Sequence, residues 1–283
     1  MPVNDELGRR MKDFYETIPK TKLMRRTPVA IRIDGKAFHT FTRGMKRPFD
    51  DILIETMQQT MKYLCENIQG CVLGYTQSDE ITLILIDYQK LTSSAWFDYE
   101  VQKMCSIAAS MATMAFNRCF SDIVNKSYTY YTTTECGCDY VSNIESFDKL
   151  FNSYFSKIGK AMFDARCFNI PKEEVANLIY WRQLDATRNS IQMVGQANFS
   201  QKELHGKSCN KIQDMLMEQK GINWNDFPAY QKRGSCCIKQ EYAYPDEFMQ
   251  TQQWRTRWII DKDIPIFKNE DRKYIENLIY VGE

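Results

Sequence analysis

Val29-Ala30-Ile31-Arg32-Ile33 follows a two-residue period and predicts a strand that ends at Asp34-Gly35. Pro48 and a capping Asp50 then open a helical stretch in which Ile52, Leu53, Met57, Met61, Leu64, Cys65 and Ile68 share one face. Two short apolar runs follow, Cys71 to Thr76 and Ile81 to Asp87. The polar Gln77-Ser78-Asp79-Glu80 between them predicts a hairpin. Trp96 to Phe120 predicts a long helix, with Ala108, Ala109, Ala112 and Ala115 allowing close packing. Phe163 to Phe168 predicts another strand, stopped by Pro171, and Glu173 to Gly195 another helix. Ser235–Tyr242 and Trp254–Asp261 predict a C-terminal hairpin. A short helix is expected over 5–18 and a capping box at Ser200-x-x-Glu203, while residues 121–160 are aromatic and show no clear period.

Strand, helix, strand, strand, helix, strand is the βαββαβ order of a ferredoxin-like α+β half-barrel, with helices on one face of an antiparallel sheet. The expected organisation is a catalytic unit over 1–240 and a β-rich C-terminal extension over 241–283. That fold hosts many chemistries and selects none of them.

Composition narrows the choice. No stretch approaches the roughly 18 apolar residues of a membrane span. The first 20 residues carry charges throughout, so no secretory signal is read there. The ten cysteines are therefore expected reduced in a cytoplasm. Cys136-x-Cys138 and Cys236-Cys237 lack matching zinc partners, and with two histidines, His39 and His205, His-rich zinc sites and HExxH hydrolases are excluded. Oxygen-ligated magnesium chemistry stays open. The net charge is only +1, yet residues 20–47 hold nine Lys/Arg against one acid. Such a run is either a solvated face or a phosphate-binding surface.

Asp34 closes the first strand, and Asp79 and Glu80 occupy the hairpin turn. If those strands pair, the carboxylates meet at one sheet edge, where two magnesium ions could sit. Gly35 admits close backbone approach, and the amides of Lys36, Ala37, Phe38 and His39 could meet phosphate oxygens. Asp-Gly and Ser-Asp-Glu are also ordinary turn pieces. His39 is either a nucleotide contact or a core histidine, and Phe38 and Phe41 read as core.

Ile31-Arg32-Ile33-Asp34-Gly35-Lys36-Ala37-Phe38-His39, then Gly74-Tyr75-Thr76-Gln77-Ser78-Asp79-Glu80, resembles the tRNA(His) guanylyltransferase superfamily, in particular its bacterial guanylyltransferase-like branch. Arg47-Pro48-Phe49-Asp50, Trp96-Phe97 with Lys103, Phe163-Asp164-Ala165-Arg166, Trp181-Arg182-Gln183 with Asp185 and Asn189, and Lys211 extend the likeness. It runs from about residue 28 to residue 240, leaving the first 25 and last 40 residues outside. The resemblance implies a palm-like domain that adds nucleotides to tRNA 5′ ends in the 3′-5′ direction. A 5′-phosphate is activated with ATP, and the 3′-hydroxyl of GTP or another NTP then attacks.

The resemblance also implies roles. Asp34 and Asp79, with the Gly35 carbonyl, would ligate two Mg²⁺ ions, supported by Glu80. Asp34, Gly35, Lys36, Ala37, Phe38, His39, Arg47, Ser78 and Asp79 would cradle the nucleotide. Arg32, Lys103, Arg166, Asp185, Asn189 and Lys211 would meet the triphosphate or the tRNA 5′ end, and a homotetramer built as a dimer of dimers is implied. Members that guanylylate tRNA(His) carry His-Ile-Asn-Asn where this chain has Thr187-Arg188-Asn189-Ser190, which favours templated 5′-end repair over fixed addition of G at position −1. A nucleotide cyclase-like enzyme and a non-catalytic RNA-binding protein are the alternatives of other classes.

Overall fold

The structure, a computed structural model, describes residues 5–133, 144–246 and 251–279; Cys136 and Cys138 lie outside them. The chain opens with α1 (Glu6–Met11) and a π-helical turn (Lys12–Glu16). β1 (Val29–Gly35), α2 (Phe38–Phe41), α3 (Asp51–Asn67), β2 (Cys71–Gln77), β3 (Glu80–Leu85), α4 (Val101–Thr133), α5 (Ile144–Phe155) and β4 (Phe163–Asn169) follow. Then come α6 (Val175–Asn198), α7 (Gln201–Leu204), α8 (Cys209–Lys220), α9 (Ala229–Arg233), β5 (Ser235–Asp246), β6 (Thr251–Asp261) and α10 (Lys273–Ile279). The six strands form one sheet in the order β4-β1-β3-β2-β5-β6, every neighbour antiparallel.

Strand alternation sorts the sheet into two faces. Val29, Ile31 and Ile33 enter a core cluster with Met57, Met61 and Leu64 of α3 and Ala108, Ala112, Phe116 and Phe120 of α4. Ala30 and Ile84 enter a second cluster with Val175 and Ile179 of α6 and Phe267, Ile275 and Ile279 near the C-terminus. Slipping β1 by one residue would trade three buried aliphatics, worth about 1.5–3 kcal/mol each, for Arg32 and Asp34, so the register is strongly specified. The two helices of the βαββαβ core lie on one face, as that order requires, and α6 with the C-terminal segment covers the other. β5 runs through residue 240 unbroken. At Gly74 of β2 the helix α3 packs too closely for a side chain, since an added Cβ would stand 2.5 Å from the Cys65 sulfur and 2.8 Å from Met61.

Two sequence expectations need correction. The helix expected from Trp96 starts at Val101, because Phe97, Asp98 and Tyr99 take left-handed φ values of 51°, 52° and 56°. It also runs past Phe120 to Thr133, where Tyr128 meets Phe151 of α5 at 5.4 Å between ring centroids. The stretch without a readable period is thus partly helical, and aromatic contact between α4 and α5 replaces aliphatic periodicity as its organising force. The capping box at Ser200 and Glu203 is present at the start of α7.

Candidate functional site

β1 lies between β3 and β4, with Asp34 opposite Glu80 on one side and opposite Asp164 on the other. Directly paired residues share a face, so three carboxylates gather at one end of the α6-covered face. The β2–β3 turn is only Ser78-Asp79, with Ser78 left-handed at φ 51°. The Gly35 amide donates to the Asp79 carbonyl (3.1 Å), which ties the turn to the end of β1. Gly35 itself admits no side chain, since a Cβ would stand 2.3 Å from the Phe38 ring.

The electrostatics separate the three hairpin and strand acids. Burial, reinforced by the charges of Glu80 and Asp164, holds the Asp34 carboxyl above the ordinary carboxylate range. Burial also raises Asp79, with Asp34 and Glu80 adding to it, against a hydrogen bond from the Ser78 hydroxyl (2.9 Å). Among the described residues no hydrogen bond reaches the Asp34 carboxylate. Glu80 is different. It pairs with Arg32 (3.1 Å) and with Arg182, whose Nη2 also donates to Asp185 (3.1 Å). Arg182 has 5% of its side chain exposed and stacks on Trp181 with its guanidinium carbon 4.7 Å from the ring centroid. Two guanidinium groups therefore neutralise Glu80, and Asp34 and Asp79 are the acids left without an ion pair among the described residues, Asp34 feeling Arg166 and Arg32 only at a distance, so the two together attract a cation.

Beside that pair lies a cleft of about 730 Å³. Asp34, Gly35, Ala37, Phe38, His39, Arg47, Ser78, Asp79 and Asn189 all line it, joined by Arg43 and Lys46 at the same loop. Ala37 is left-handed (φ 55°), and the amides of Ala37, Phe38 and His39 donate no hydrogen bond among the described residues. Such a run of unused amides suits an anion. The Lys36 amide is committed to the Met162 carbonyl (2.8 Å), so the amide run is one residue shorter than the sequence suggests. The Phe38 ring is core, against Phe41, Phe116 and Phe163, and His39 is exposed.

The other sequence-selected residues lie apart from the cleft lining. Arg166 is exposed on β4 and bonds Asp164 (3.3 Å). Lys103 sits 5.8 Å above the Phe97 ring, Asp185 belongs to the Arg182 group, and Lys211 is exposed in the first turn of α8. Asp164 and Arg182 were missed as site residues, although both stand in stretches the sequence singled out. Their signal was only their neighbours, since neither a partner across a strand pair, as for Asp164, nor one reached from a covering helix, as for Arg182, is visible in one dimension.

Among the described residues no three His, Cys, Asp or Glu side chains form a closed metal site. Two carboxylates suit a hard cation such as Mg²⁺, which binds one or two carboxylates and takes its remaining ligands from water and phosphate.

A family model described as tRNAHis guanylyltransferase matches residues 8–171. A solved bacterial tRNA(His) guanylyltransferase-like protein in complex with ATP is 40% identical, covering 98% of this chain and 100% of its own, with a TM-score of 0.77. One in complex with GTP is 38% identical over 98% and 100%, with a TM-score of 0.72. A probable tRNA(His) guanylyltransferase of Dictyostelium discoideum is 24% identical over 77% of each chain. The likeness therefore takes in most of the first 25 and last 40 residues, which the motifs alone left outside it.

Proposed function

Because the chain belongs to the tRNA(His) guanylyltransferase family, we propose that it adds nucleotides to tRNA 5′ ends in the 3′-5′ direction, directed by the opposite strand of the acceptor stem. The observation that carries this is the cleft that joins Asp34 and Asp79, without an ion pair among the described residues, to the unused amides of residues 37–39 and to Arg43, Lys46 and Arg47. Carboxylates, amides and guanidinium groups in one cleft match a cation-bound triphosphate, and nucleotidyl transfer needs positioning and charge neutralisation above all. The solved relatives bound to ATP and GTP support nucleotides as its substrates.

Asp34, Asp79 and the Gly35 carbonyl would hold two Mg²⁺ ions, which when bound supply Lewis-acid activation and charge neutralisation for in-line displacement. The protein's own groups do the rest. The amides of residues 37–39 orient the phosphates, and Arg47 with Arg43 offsets their charge. Activation joins the tRNA 5′-phosphate to the α-phosphate of ATP with loss of pyrophosphate. Attack by the 3′-hydroxyl of the incoming nucleotide then displaces AMP.

Repair, rather than fixed addition of G, is supported at Thr187 and Ser190. Here the His and second Asn of the guanylylating signature are replaced by hydroxyls turned to structural use. Thr187 Oγ1 donates to the Gln183 carbonyl (2.9 Å), and Ser190 Oγ accepts from Trp224 Nε1 (3.2 Å). A homo-oligomer is part of the same proposal. Leu7, Met11 and Phe14, on α1 and the following turn, and Ile18 just beyond them are all exposed apolar side chains, and α1 and that turn bury no residue of their own.

The test mixes protein, Mg²⁺, ATP and labelled NTPs with 5′-monophosphorylated tRNAs lacking the first nucleotide. Expected is extension by the nucleotide complementary to each template base, lost in Asp79→Ala. Addition of G regardless of template would overturn repair, and no extension by folded protein would overturn the nucleotidyl-transfer reading.

A further inference from the structure

The sulfurs of Cys105 on α4 and Cys167 on β4 stand 3.6 Å apart. We propose that this pair is a site of reversible oxidation, closing to a disulfide that staples α4 to β4. The bond needs the sulfurs at about 2.0 Å, so closure brings them about 1.6 Å nearer than they stand. The two elements are already fixed against each other further along. Thr113 Oγ1 accepts from the Phe163 amide (3.2 Å), and Asn117 bonds the Ala161 amide (3.1 Å) and carbonyl (3.0 Å). Alternation along β4 puts Ala165 and Cys167 under α4, at the rim of the core cluster, where both thiols are half-buried. The other neighbouring thiols, Cys65, Cys71 and Cys237, are buried.

The step is a thiol–disulfide exchange with a low-molecular-weight disulfide, RSSR. The Cys105 thiolate attacks one sulfur, forming a mixed disulfide and releasing RS⁻. Cys167, having lost its proton, attacks the Cys105 sulfur and releases the second RS⁻. Two protein thiols and RSSR thus become one protein disulfide and two RSH. Burial, then the bond with Cys105, pushes the Cys167 thiol up to about 12, which keeps it protonated and leaves the opening attack to Cys105, Cys167 entering only once the mixed disulfide holds its target sulfur beside it. The cross-link closes a long loop and so restricts the unfolded chain. Cys167 faces α4, whereas Asp164 and Arg166 face the other way, so the staple leaves the carboxylate face in place.

The full-length protein is incubated with oxidised glutathione, digested without reduction and mapped by mass spectrometry. The expected product is a linked peptide pair containing Cys105 and Cys167, with two thiols lost per chain. A melting midpoint that rises on oxidation, returns with dithiothreitol, and stays unmoved in Cys105→Ser and Cys167→Ser is expected too. Glutathione left on a single cysteine, a link joining other cysteines, or an unchanged thiol count overturns the proposal. The peptide map of the wild-type chain decides even where a variant fails to fold.

Discussion

Replacing Asp79 or Asp34 by Asn removes a charge that burial and neighbouring carboxylates oppose. An acid whose folded-state pKa is raised favours the folded state below its unfolded pKa, about 3.9. That favour is lost as pH rises through the folded value. At neutral pH both carboxylates therefore work against the fold. Asp79→Asn is expected to melt higher than the wild type in chelator at pH 7, with the gap closing toward pH 4. The same variant loses several kcal/mol of transition-state stabilisation, at least about 100-fold in addition rate. Equal melting points at pH 7 would show that Asp79 is not electrostatically strained. Arg182 has the opposite profile. Glu80 and Asp185 both bond to it, so Arg182→Met should cost about 1–3 kcal/mol in urea denaturation, the penalty for leaving half-buried acceptors short of a donor.

Between elements, close packing decides the outcome. Gly35→Ala would drive a methyl into the Phe38 ring, and Phe38 is packed on Phe41, Phe116 and Phe163. An overpacking cost of about 1–3 kcal/mol is expected, together with a raised KM for nucleotide as the amides of α2 shift; an unchanged KM would separate Gly35 from the phosphate cradle. Phe151→Ala removes the α5 ring that meets Tyr128 and Tyr131 of α4. It should cost about 3–5 kcal/mol by calorimetry. The two elements were not equally legible. β1 and the β2–β3 hairpin carry their period in aliphatic residues, so sequence reading found them. The α4 tail and α5 depend on rings from two helices meeting, and neither helix shows that alone. The break before α4 was unreadable for a related reason, since three successive left-handed residues, Phe97 to Tyr99, have no sequence signature of the kind glycine provides.

For the molecule as a whole, charge placement outweighs charge count. Of the nine basic residues over 20–47, Lys22 and Arg25 pair with Asp98, Arg25 also with Asp87, and Arg32 with Glu80, whereas Arg43, Lys46 and Arg47 line the cleft. Binding to a tRNA acceptor stem should therefore weaken steeply with salt, and Arg43→Ala should reduce that slope while Lys22→Ala leaves it unchanged; equal slopes for both would place the phosphate contacts elsewhere. Light scattering tests the oligomer: a monomer at micromolar concentration would remove the role given to the exposed apolar side chains over residues 7–18. Much of this was settled by sequence alone. Alternation in β1 and the hairpin ordained which residues turn to the α6 face, and Asp34-Gly35 with Ser78-Asp79-Glu80 already named the acids, because both properties are local. Which acid stays without an ion pair was not local. Glu80 is neutralised by an arginine about a hundred positions away, and three of the nine residues in a uniform basic run, Lys22, Arg25 and Arg32, are spent on acids from other parts of the chain. Those outcomes depend on through-space partners and burial, and only the folded chain decides them.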